Sequence, residues 1–242
     1  MNQTALITGA SKRIGKAIAG HLAQNGWNII IHYNRSAEEA ITLVQDLSVK
    51  YPKQLFSSVT ANLSNSHEVL NLIPNIVAKR GPFDLIVNNA SLFNKGYFSE
   101  TEENLFDSQF NVNMKAPFFL MRDFARFCKK GNIINFVDTR ITTSTSNFAA
   151  YSLSKKALWE ATKMAALEFA PEIRVNAIAP GVTLAPAEEG EEYLLKLAQN
   201  IPMKRPGGVD PIINSIDYIL KNDHLTGQLL FADGGENLGT NK

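Results

Sequence analysis

The sequence is poor in the features that mark secreted, membrane and nucleic-acid-binding proteins. It has a single cysteine, Cys128, so no intrachain disulfide can form and the chain suits a reducing compartment. No apolar run approaches the roughly eighteen residues needed to cross a bilayer, and no basic segment precedes the short apolar stretch near the amino terminus. The 24 basic residues are scattered and balanced by 23 acidic ones, and no two histidines have the spacing of metal ligands. We therefore expect a cytoplasmic protein without a metal and with neither a membrane nor a nucleic acid as partner.

Hydrophobic periodicity indicates an α/β protein. Short β-branched runs alternate with longer stretches of helical spacing, which is typical of a parallel sheet flanked by helices. The predicted strands cover residues 4–8, 27–33, 54–60, 83–88, 132–137, 173–179 and 228–232. The predicted helices cover residues 14–24, 36–50 with Ser36 as the cap, 66–79, 101–128 and 151–170, with two short helices after residue 192. The length of 242 residues suits one large domain as well as two small ones.

A glycine-containing turn between the first strand and the first helix indicates a phosphate-binding loop. It reads Thr8-Gly9-Ala10-Ser11-Lys12-Arg13-Ile14-Gly15. Its glycines let the backbone approach a pyrophosphate, and the helix N-terminus offers free N–H donors. A simple turn is the alternative interpretation. The candidate cofactor ligands in this loop are Gly9, Lys12, Arg13, Ile14 and Gly15.

The end of the second strand favours NADPH over NADH. An enzyme that binds the free ribose 2′-hydroxyl of NADH carries Asp or Glu about twenty residues beyond the glycine loop. This sequence has His32-Tyr33-Asn34-Arg35-Ser36 there and lacks the carboxylate. Arg35 and Ser36, together with the nearby Lys12 and Arg13, can surround a 2′-phosphate with hydrogen-bond donors.

Tyr151 and Lys155 form a candidate proton-transfer pair. They lie four residues apart on a predicted helix and therefore share one face. We expect the ammonium to lower the pKa of the phenol from its ordinary value of about 10, which makes the phenol a proton donor at neutral pH. The helix begins at the edge of the sheet that carries the glycine loop, where α/β sheets hold ligands. An exposed pair on an amphipathic helix is the alternative.

The order of these motifs resembles that of the short-chain dehydrogenase/reductase family over essentially the whole chain. The matching segments are Thr8-Gly9 to Gly15, Asn88-Asn89-Ala90, Val112-Asn113-Met114, Tyr151 to Lys155, Pro180-Gly181, and Thr226-Gly227 with Asp233-Gly234-Gly235. The resemblance implies one domain over residues 1–242, with a Rossmann-type, doubly wound parallel sheet of seven strands in three α/β/α layers. It also implies NAD(P)-dependent hydride transfer, with Tyr151 as the acid, Lys155 on the nicotinamide ribose and Asn113 supporting a proton-relay water.

The same resemblance implies further cofactor contacts and a homotetramer. The contacts are His32, Tyr33, Asn62, Leu63, Asn89, Ala90, Ser91, Pro180, Gly181 and Thr183, with Asn62 standing where the family usually has Asp. The tetramer is expected to form through the long helices that contain Asn113 and Tyr151. Phe118, Phe119 and Trp159 suit an interface of this kind and suit a core equally well.

Two departures from the family pattern make the sequence similar to pteridine reductases and dihydromonapterin reductases. Asp138 stands thirteen residues before Tyr151, where carbonyl reductases of the family carry Ser, and Arg13 replaces the middle glycine of the loop. A carboxylate only accepts hydrogen bonds, so Asp138 cannot donate to a carbonyl oxygen, but it can orient the Tyr151 phenol or pass a proton to a ring nitrogen. The resemblance implies that Phe93 stacks on the pterin and that Ser91 and Arg13 contact it.

Together these observations predict an NADPH-dependent reductase that converts a dihydropterin or dihydrofolate to its tetrahydro form. The catalytic residues are predicted to be Asp138, Tyr151, Lys155 and Asn113. A carbonyl reductase acting on a 3-oxoacyl thioester or a sugar is one alternative, and an NADP-sensing protein that catalyses nothing is another. The acidic, glycine-containing stretch 186–192 matches no family pattern, and we expect it to belong to a substrate lid around residues 184–208, with a solvated loop as the alternative.

Overall fold

The computed structural model describes residues 2–185 and 189–239. Its strands are β1 Thr4–Ile7, β2 Asn28–Tyr33, β3 Phe56–Thr60, β4 Leu85–Asn88, β5 Gly131–Phe136, β6 Ile173–Pro180 and β7 Leu229–Ala232. Its α-helices are α1 Arg13–Gln24, α2 Ala37–Lys50, α3 Ser66–Arg80, α4 Glu103–Phe110, α5 Ala116–Phe127, α6 Ala149–Phe169, α7 Glu191–Ala198 and α8 Asp210–Lys221. Shorter turns are the 3₁₀ segments Phe98–Glu100, Thr139–Thr142 and Glu236–Leu238 and the π-helical segment Asn111–Lys115.

The strands form one parallel sheet in the order β3-β2-β1-β4-β5-β6-β7. The chain winds outward from β1 in one direction through β3 and then crosses to β4 to wind outward in the other. The reversal leaves a crevice at the carboxyl ends of β1 and β4, which is the usual ligand site of such a sheet. The loops that follow β1, β4 and β5 therefore meet at one edge.

Helices cover both faces of the sheet. Along β1, Ala5 and Ile7 pack on one face with Ile18 of α1, while Leu6 between them packs on the other with Leu120 of α5. This alternation follows from the two-residue side-chain period of a strand, and apolar residues on both faces are required for a sheet buried on both sides. The predicted three-layer, Rossmann-type fold with seven parallel strands is confirmed.

The long helix predicted over residues 101–128 contains a break in its hydrogen bonding. It begins at Glu103, and its middle turn, Asn111–Lys115, is π-helical. Pro117 lies four residues after Asn113 and has no N–H to donate to the Asn113 carbonyl, so the regular α-helical pattern cannot continue through this turn. The Ala116 N–H bonds to the Asn111 carbonyl instead.

Two predicted local features are wrong. Ser36 makes no side-chain capping bond to α2, whereas Asn65 does cap α3, its side-chain oxygen accepting from the N–H groups of His67 and Glu68. Strand β3 begins at Phe56 rather than at Gln54, whose amide instead donates to the main-chain carbonyls of Ala23 in α1 and Trp27 in the α1–β2 connection. Among the described residues, no helix has the combined length and apolar character needed to span a membrane.

Candidate active site

Asp138 and Tyr151 meet at the carboxyl edge of the sheet. Asp138 follows β5 after one residue, and Tyr151 lies in the first turn of α6. The Tyr151 hydroxyl donates a 2.6 Å hydrogen bond to Asp138 Oδ2, and Asp138 Oδ1 accepts from the Arg140 N–H at 2.8 Å. The structure thus joins the two residues whose thirteen-residue spacing marked them in the sequence.

The expectation of a lowered pKa for the Tyr151 phenol is wrong in this structure. Burial raises the phenol pKa well above its ordinary value, and the neighbouring Asp138 carboxylate raises it further. The Lys155 ammonium lies 5.9 Å from the centre of the tyrosine ring and donates to the Phe136 carbonyl at 2.7 Å. Tyr151 is therefore a neutral phenol at physiological pH and retains its proton.

Lys155 is almost entirely enclosed, with 2% of its surface exposed. Burial lowers its pKa to about 8, against the opposing effect of the Asp138 charge. The ammonium form therefore predominates at neutral pH and is lost within the mildly alkaline range.

Asn113 sits in the π-helical turn at the centre of a buried polar cluster. Its amide nitrogen donates to the Leu92 carbonyl at 2.9 Å and to Ser154 Oγ at 3.2 Å, and its amide oxygen accepts from Ser91 Oγ at 3.0 Å. Ser154 in turn donates to the Tyr151 carbonyl. Pro117 supplies no N–H, so the main-chain carbonyl of Asn113 lacks the α-helical donor four residues further along the chain.

Gln109 was missed by the sequence reasoning although it lies one helical turn before Asn113. It is fully buried, and its amide lies 3.0 Å from Asn113 Nδ2 and 2.9 Å from Asn94 Oδ1. The four-residue spacing on a predicted helix was the available signal. The other residue missed is Arg140, whose main chain holds Asp138.

The glycine loop is fixed from beneath by buried polar side chains. Thr8 Oγ1 accepts from the N–H groups of Asn89 and Ala90, and His32 Nδ1 accepts from the Gly9 N–H at 3.1 Å. Burial lowers the His32 pKa to about 4, so this imidazole is neutral and donates through Nε2 to the Ala61 carbonyl. His32 is 1% exposed, which places it under the loop as a support.

The loop and the start of α1 fit a dinucleotide phosphate. Gly9 has a positive φ of 63°, and a Cβ added to Gly15 would collide with the main chain of Gly9 and Ala10. Lys12, at the N-cap of α1, makes no side-chain capping bond. Within the described residues, no acceptor is assigned to the main-chain N–H groups of Arg13, Ile14 and Gly15 at the start of α1, which suits an anion. Arg35 and Ser36 follow β2 at the same edge.

Two of the predicted phosphate ligands have partners on the chain itself. Lys12 forms a 2.6 Å ion pair with Glu39 of α2. Arg13 has a positive φ of 53°, and its guanidinium donates to the main-chain carbonyls of Ala185 at 2.7 Å and Leu184 at 3.2 Å. Arg13 thereby ties the glycine loop to the start of the predicted lid across the crevice.

The predicted lid is described only in part, since residues 186–188 of the acidic stretch lie outside the described residues. Before it, Gly181 packs closely on Asp233, and Thr183 donates to the Gly181 carbonyl at 2.9 Å. Within the predicted lid, α7 occupies Glu191–Ala198 as one of the two short helices expected in this part of the chain, and α8 follows the lid as the other.

Phe93 stands at the opening of the site. Its ring is stacked on Phe148 at 4.4 Å between centres and meets Tyr151 edge-on at 4.6 Å. The side chain is 54% exposed. One face of Phe93 is thus covered by Phe148, so a stacked ligand would use the other face.

In the described part of the chain, no cluster of His, Cys, Asp and Glu is arranged to hold a metal.

Comparison with known proteins gives the family of this chain. Residues 3–192 match the family model described as short chain dehydrogenase. A 3-oxoacyl-[acyl-carrier-protein] reductase FabG of Staphylococcus epidermidis is 30% identical over 243 residues, covering 97% of this chain and 99% of that protein. Pteridine reductase 1 of Leishmania tarentolae is 30% identical over 278 residues, covering 97% of this chain and 96% of that protein. The chain belongs to the short-chain dehydrogenase family.

A solved structure extends the likeness to the whole fold. The crystal structure of FolM alternative dihydrofolate reductase 1 from Brucella suis in complex with NADP has a TM-score of 0.93 and 34% identity, covering 100% of this chain and 97% of that one. The fold and the family thus agree on an oxidoreductase framework with a dinucleotide crevice.

Proposed function

We propose that this protein is an NADPH-dependent reductase that adds hydrogen across a C=N bond of a pterin ring, taking a dihydropterin or dihydrofolate to its tetrahydro form. The observation that carries the proposal is the hydrogen bond from Tyr151 to Asp138, at the position where carbonyl reductases of the family have a serine. Relatives named as a pteridine reductase and an alternative dihydrofolate reductase, each at least 30% identical, support the same assignment.

The residues of this chain have separate tasks in the reaction. NADPH, when bound, supplies the hydride that forms the new C–H bond. Tyr151, kept neutral by burial and by Asp138, holds the proton that goes to the adjacent ring nitrogen. Asp138 orients the phenol, and the Lys155 ammonium favours the phenolate left after proton donation. Asn113 orients a water that returns a proton to this group.

Cofactor and substrate share the crevice between the glycine loop and the end of β4. The N-terminal N–H groups of α1 hold the pyrophosphate, and Arg35, Ser36 and Lys12 hold the 2′-phosphate that distinguishes NADPH from NADH. The pterin stacks on the face of Phe93 opposite Phe148, while Ser91 contacts the polar edge of the pterin. Arg13 reaches both ligands after releasing the carbonyls of the lid segment.

A carbonyl reductase is the second candidate, because a 3-oxoacyl-[acyl-carrier-protein] reductase is 30% identical over almost the whole chain. A carboxylate that accepts from Tyr151 cannot donate to a substrate carbonyl, and this argues against the second candidate.

The loss of NADPH absorbance tests the choice between the two candidates. It is followed with 7,8-dihydromonapterin, 7,8-dihydrobiopterin, 7,8-dihydrofolate and a 3-oxoacyl thioester side by side. Turnover of pterins alone supports the proposal, turnover of the thioester alone contradicts it, and binding of NADPH without any turnover favours a sensor.

We also propose a homotetramer formed through α4, α5 and α6. Phe118 is 44% exposed and lines a groove with Met164 and Phe169 between α5 and α6, so these helices present an apolar surface to solvent in the single chain. Light scattering is expected to show one species near four times the chain mass of 26.7 kDa. A monomer at micromolar concentration would contradict this assembly.

A further inference from the structure

Arg140 is a positive group beside the Asp138–Tyr151 pair that the proposed reaction does not use. It lies in the 3₁₀ turn Thr139–Thr142, and its guanidinium carbon is 4.6 Å from the ring centre of Phe148 and 5.9 Å from that of Phe93. Its main-chain N–H donates to Asp138 Oδ1. The residue therefore extends from the proton-transfer pair to the aromatic rings at which we place the pterin.

The guanidinium has no acid partner in direct contact. In the described ranges, no carboxylate oxygen lies within 4.0 Å of the guanidinium nitrogens. One hydrogen bond to Thr145 Oγ1 at 3.1 Å uses one of the five N–H groups that a guanidinium can donate. The acids that face it from a distance are Asp138, already occupied by Tyr151, and Glu236 of the C-terminal 3₁₀ turn. Burial raises the pKa of Glu236, while the Arg140 charge acts in the opposite direction. A half-buried cation thus remains available to a ligand.

We propose that Arg140 binds the anionic end of the substrate's ring substituent. The preferred substrate is then a reduced pterin whose tail carries a carboxylate, as in dihydrofolate, over a reduced pterin with a neutral polyol tail. This inference rests on the proposed pterin reduction and deepens it. The guanidinium carbon of Arg140 is 5.9 Å from the centre of the Phe93 ring, so a pterin stacked on Phe93 brings its ring substituent within reach of Arg140. A planar guanidinium pairs well with a carboxylate.

A purely structural role for Arg140 makes a different prediction. If the side chain only packs on Phe148 and keeps the turn in place, its loss disturbs Asp138 and slows every pterin to the same extent. If it binds the tail, its loss affects only substrates that have an anionic tail. The ratio of two substrates separates these roles, whereas the activity with one substrate does not.

The test compares kcat/KM for 7,8-dihydrofolate and 7,8-dihydrobiopterin in the unmodified protein, Arg140→Gln, Arg140→Lys and Lys156→Gln. Lys156 is the matched control, because it is a half-buried cation whose ammonium donates to the Thr143 carbonyl of the same loop. We expect Arg140→Gln to lower kcat/KM for dihydrofolate at least about tenfold, mainly through KM, and for dihydrobiopterin less than about twofold. Arg140→Lys is expected to retain part of the preference, and Lys156→Gln all of it.

Calorimetry supplies a second measurement that does not depend on turnover. The dissociation constant of dihydrofolate from the complex with NADP⁺ is expected to rise by a similar factor in Arg140→Gln. Equal losses for both pterins, or an unchanged ratio, would overturn the role of Arg140 while leaving pterin reduction standing. Failure of the unmodified protein to reduce either pterin would contradict the proposed function itself.

Discussion

Asp138 accepts a 2.6 Å hydrogen bond from the Tyr151 hydroxyl while its second oxygen is held by the Arg140 N–H at 2.8 Å. The carboxylate is fixed from two sides, so it determines where the phenolic hydrogen points before any substrate arrives. In a carbonyl reductase, a serine at this position can donate to the substrate oxygen. Asp138 and Tyr151 therefore act together, and the Asp138 carboxylate is the group that distinguishes this site from that of a carbonyl reductase.

Replacing Asp138 with Ser is expected to lower pterin turnover at least about tenfold while leaving the dissociation constant of NADPH unchanged. The phenol loses the acceptor that orients it, but the cofactor crevice is untouched. Steady-state kinetics and fluorescence titration measure the two quantities. Asp107→Asn, which removes an exposed carboxylate on α4, is the control and is expected to change neither. Undiminished turnover in Asp138→Ser would remove the role of Asp138.

The pH dependence of pterin reduction is expected to follow Lys155. Its buried ammonium has a pKa lowered to about 8, so it is charged below this pH and neutral above it. We expect kcat/KM to be level from neutral pH to near 8 and then to fall, because a neutral lysine no longer stabilises the phenolate of Tyr151. The raised pKa of Tyr151 places its own ionisation at higher pH. A profile that stays level well above pH 9 would contradict this assignment.

Two glycines of α1 are expected to respond oppositely to replacement by alanine. A Cβ on Gly15 would lie 2.8 Å from the Ala10 Cα and closer still to the Gly9 carbonyl, so Gly15→Ala should destabilise the fold by about 1–3 kcal/mol and weaken NADPH binding. Gly20 has no atom within 4 Å of such a Cβ, so Gly20→Ala should be neutral or stabilise by up to about 1 kcal/mol. Urea unfolding measures both changes, and equal effects would contradict the close approach at Gly15.

The ion pair between Lys12 and Glu39 is expected to compete with the 2′-phosphate of NADPH. Glu39→Gln releases Lys12 and should tighten NADPH binding by about threefold, a magnitude typical of one exposed ion pair, while NADH binding stays the same. Glu38→Gln is the matched control, because it removes the same charge from the neighbouring, exposed position. Equal NADPH dissociation constants for Glu39→Gln and Glu38→Gln, or weaker NADPH binding in Glu39→Gln, would show that Lys12 does not hold the 2′-phosphate.

The sequence predicted those features of the fold and the site that follow from the periodicity of strands and helices. The alternation of Ala5, Leu6 and Ile7 between the two faces of the sheet was readable because a strand has a strict side-chain period. The parallel order then brought the ends of β1, β4 and β5 to one edge. The four-residue spacing of Tyr151 and Lys155 was likewise sufficient to place both on one face of α6.

Features that depend on tertiary contacts could not be read from the chain. Spacing placed a lysine near Tyr151 but did not show that burial and Asp138 raise the phenol pKa. Residue type suggested that Arg13 binds phosphate, whereas its bonds to Leu184 and Ala185 link positions more than 170 residues apart. Ser36 has the residue type of a helix cap, yet the backbone at this point does not bring its hydroxyl to the first turn of α2.

The most direct test of the account follows deuterium from NADPH labelled at both C4 hydrogens into the product of 7,8-dihydrofolate. The account predicts tetrahydrofolate heavier by one mass unit, with the deuterium on the ring carbon of the reduced C=N bond, and a yield greatly reduced in Asp138→Ser. Deuterium found only in the hydroxyl-bearing carbon of a 3-oxoacyl thioester reduced in a parallel reaction, with no labelled pterin, would contradict it.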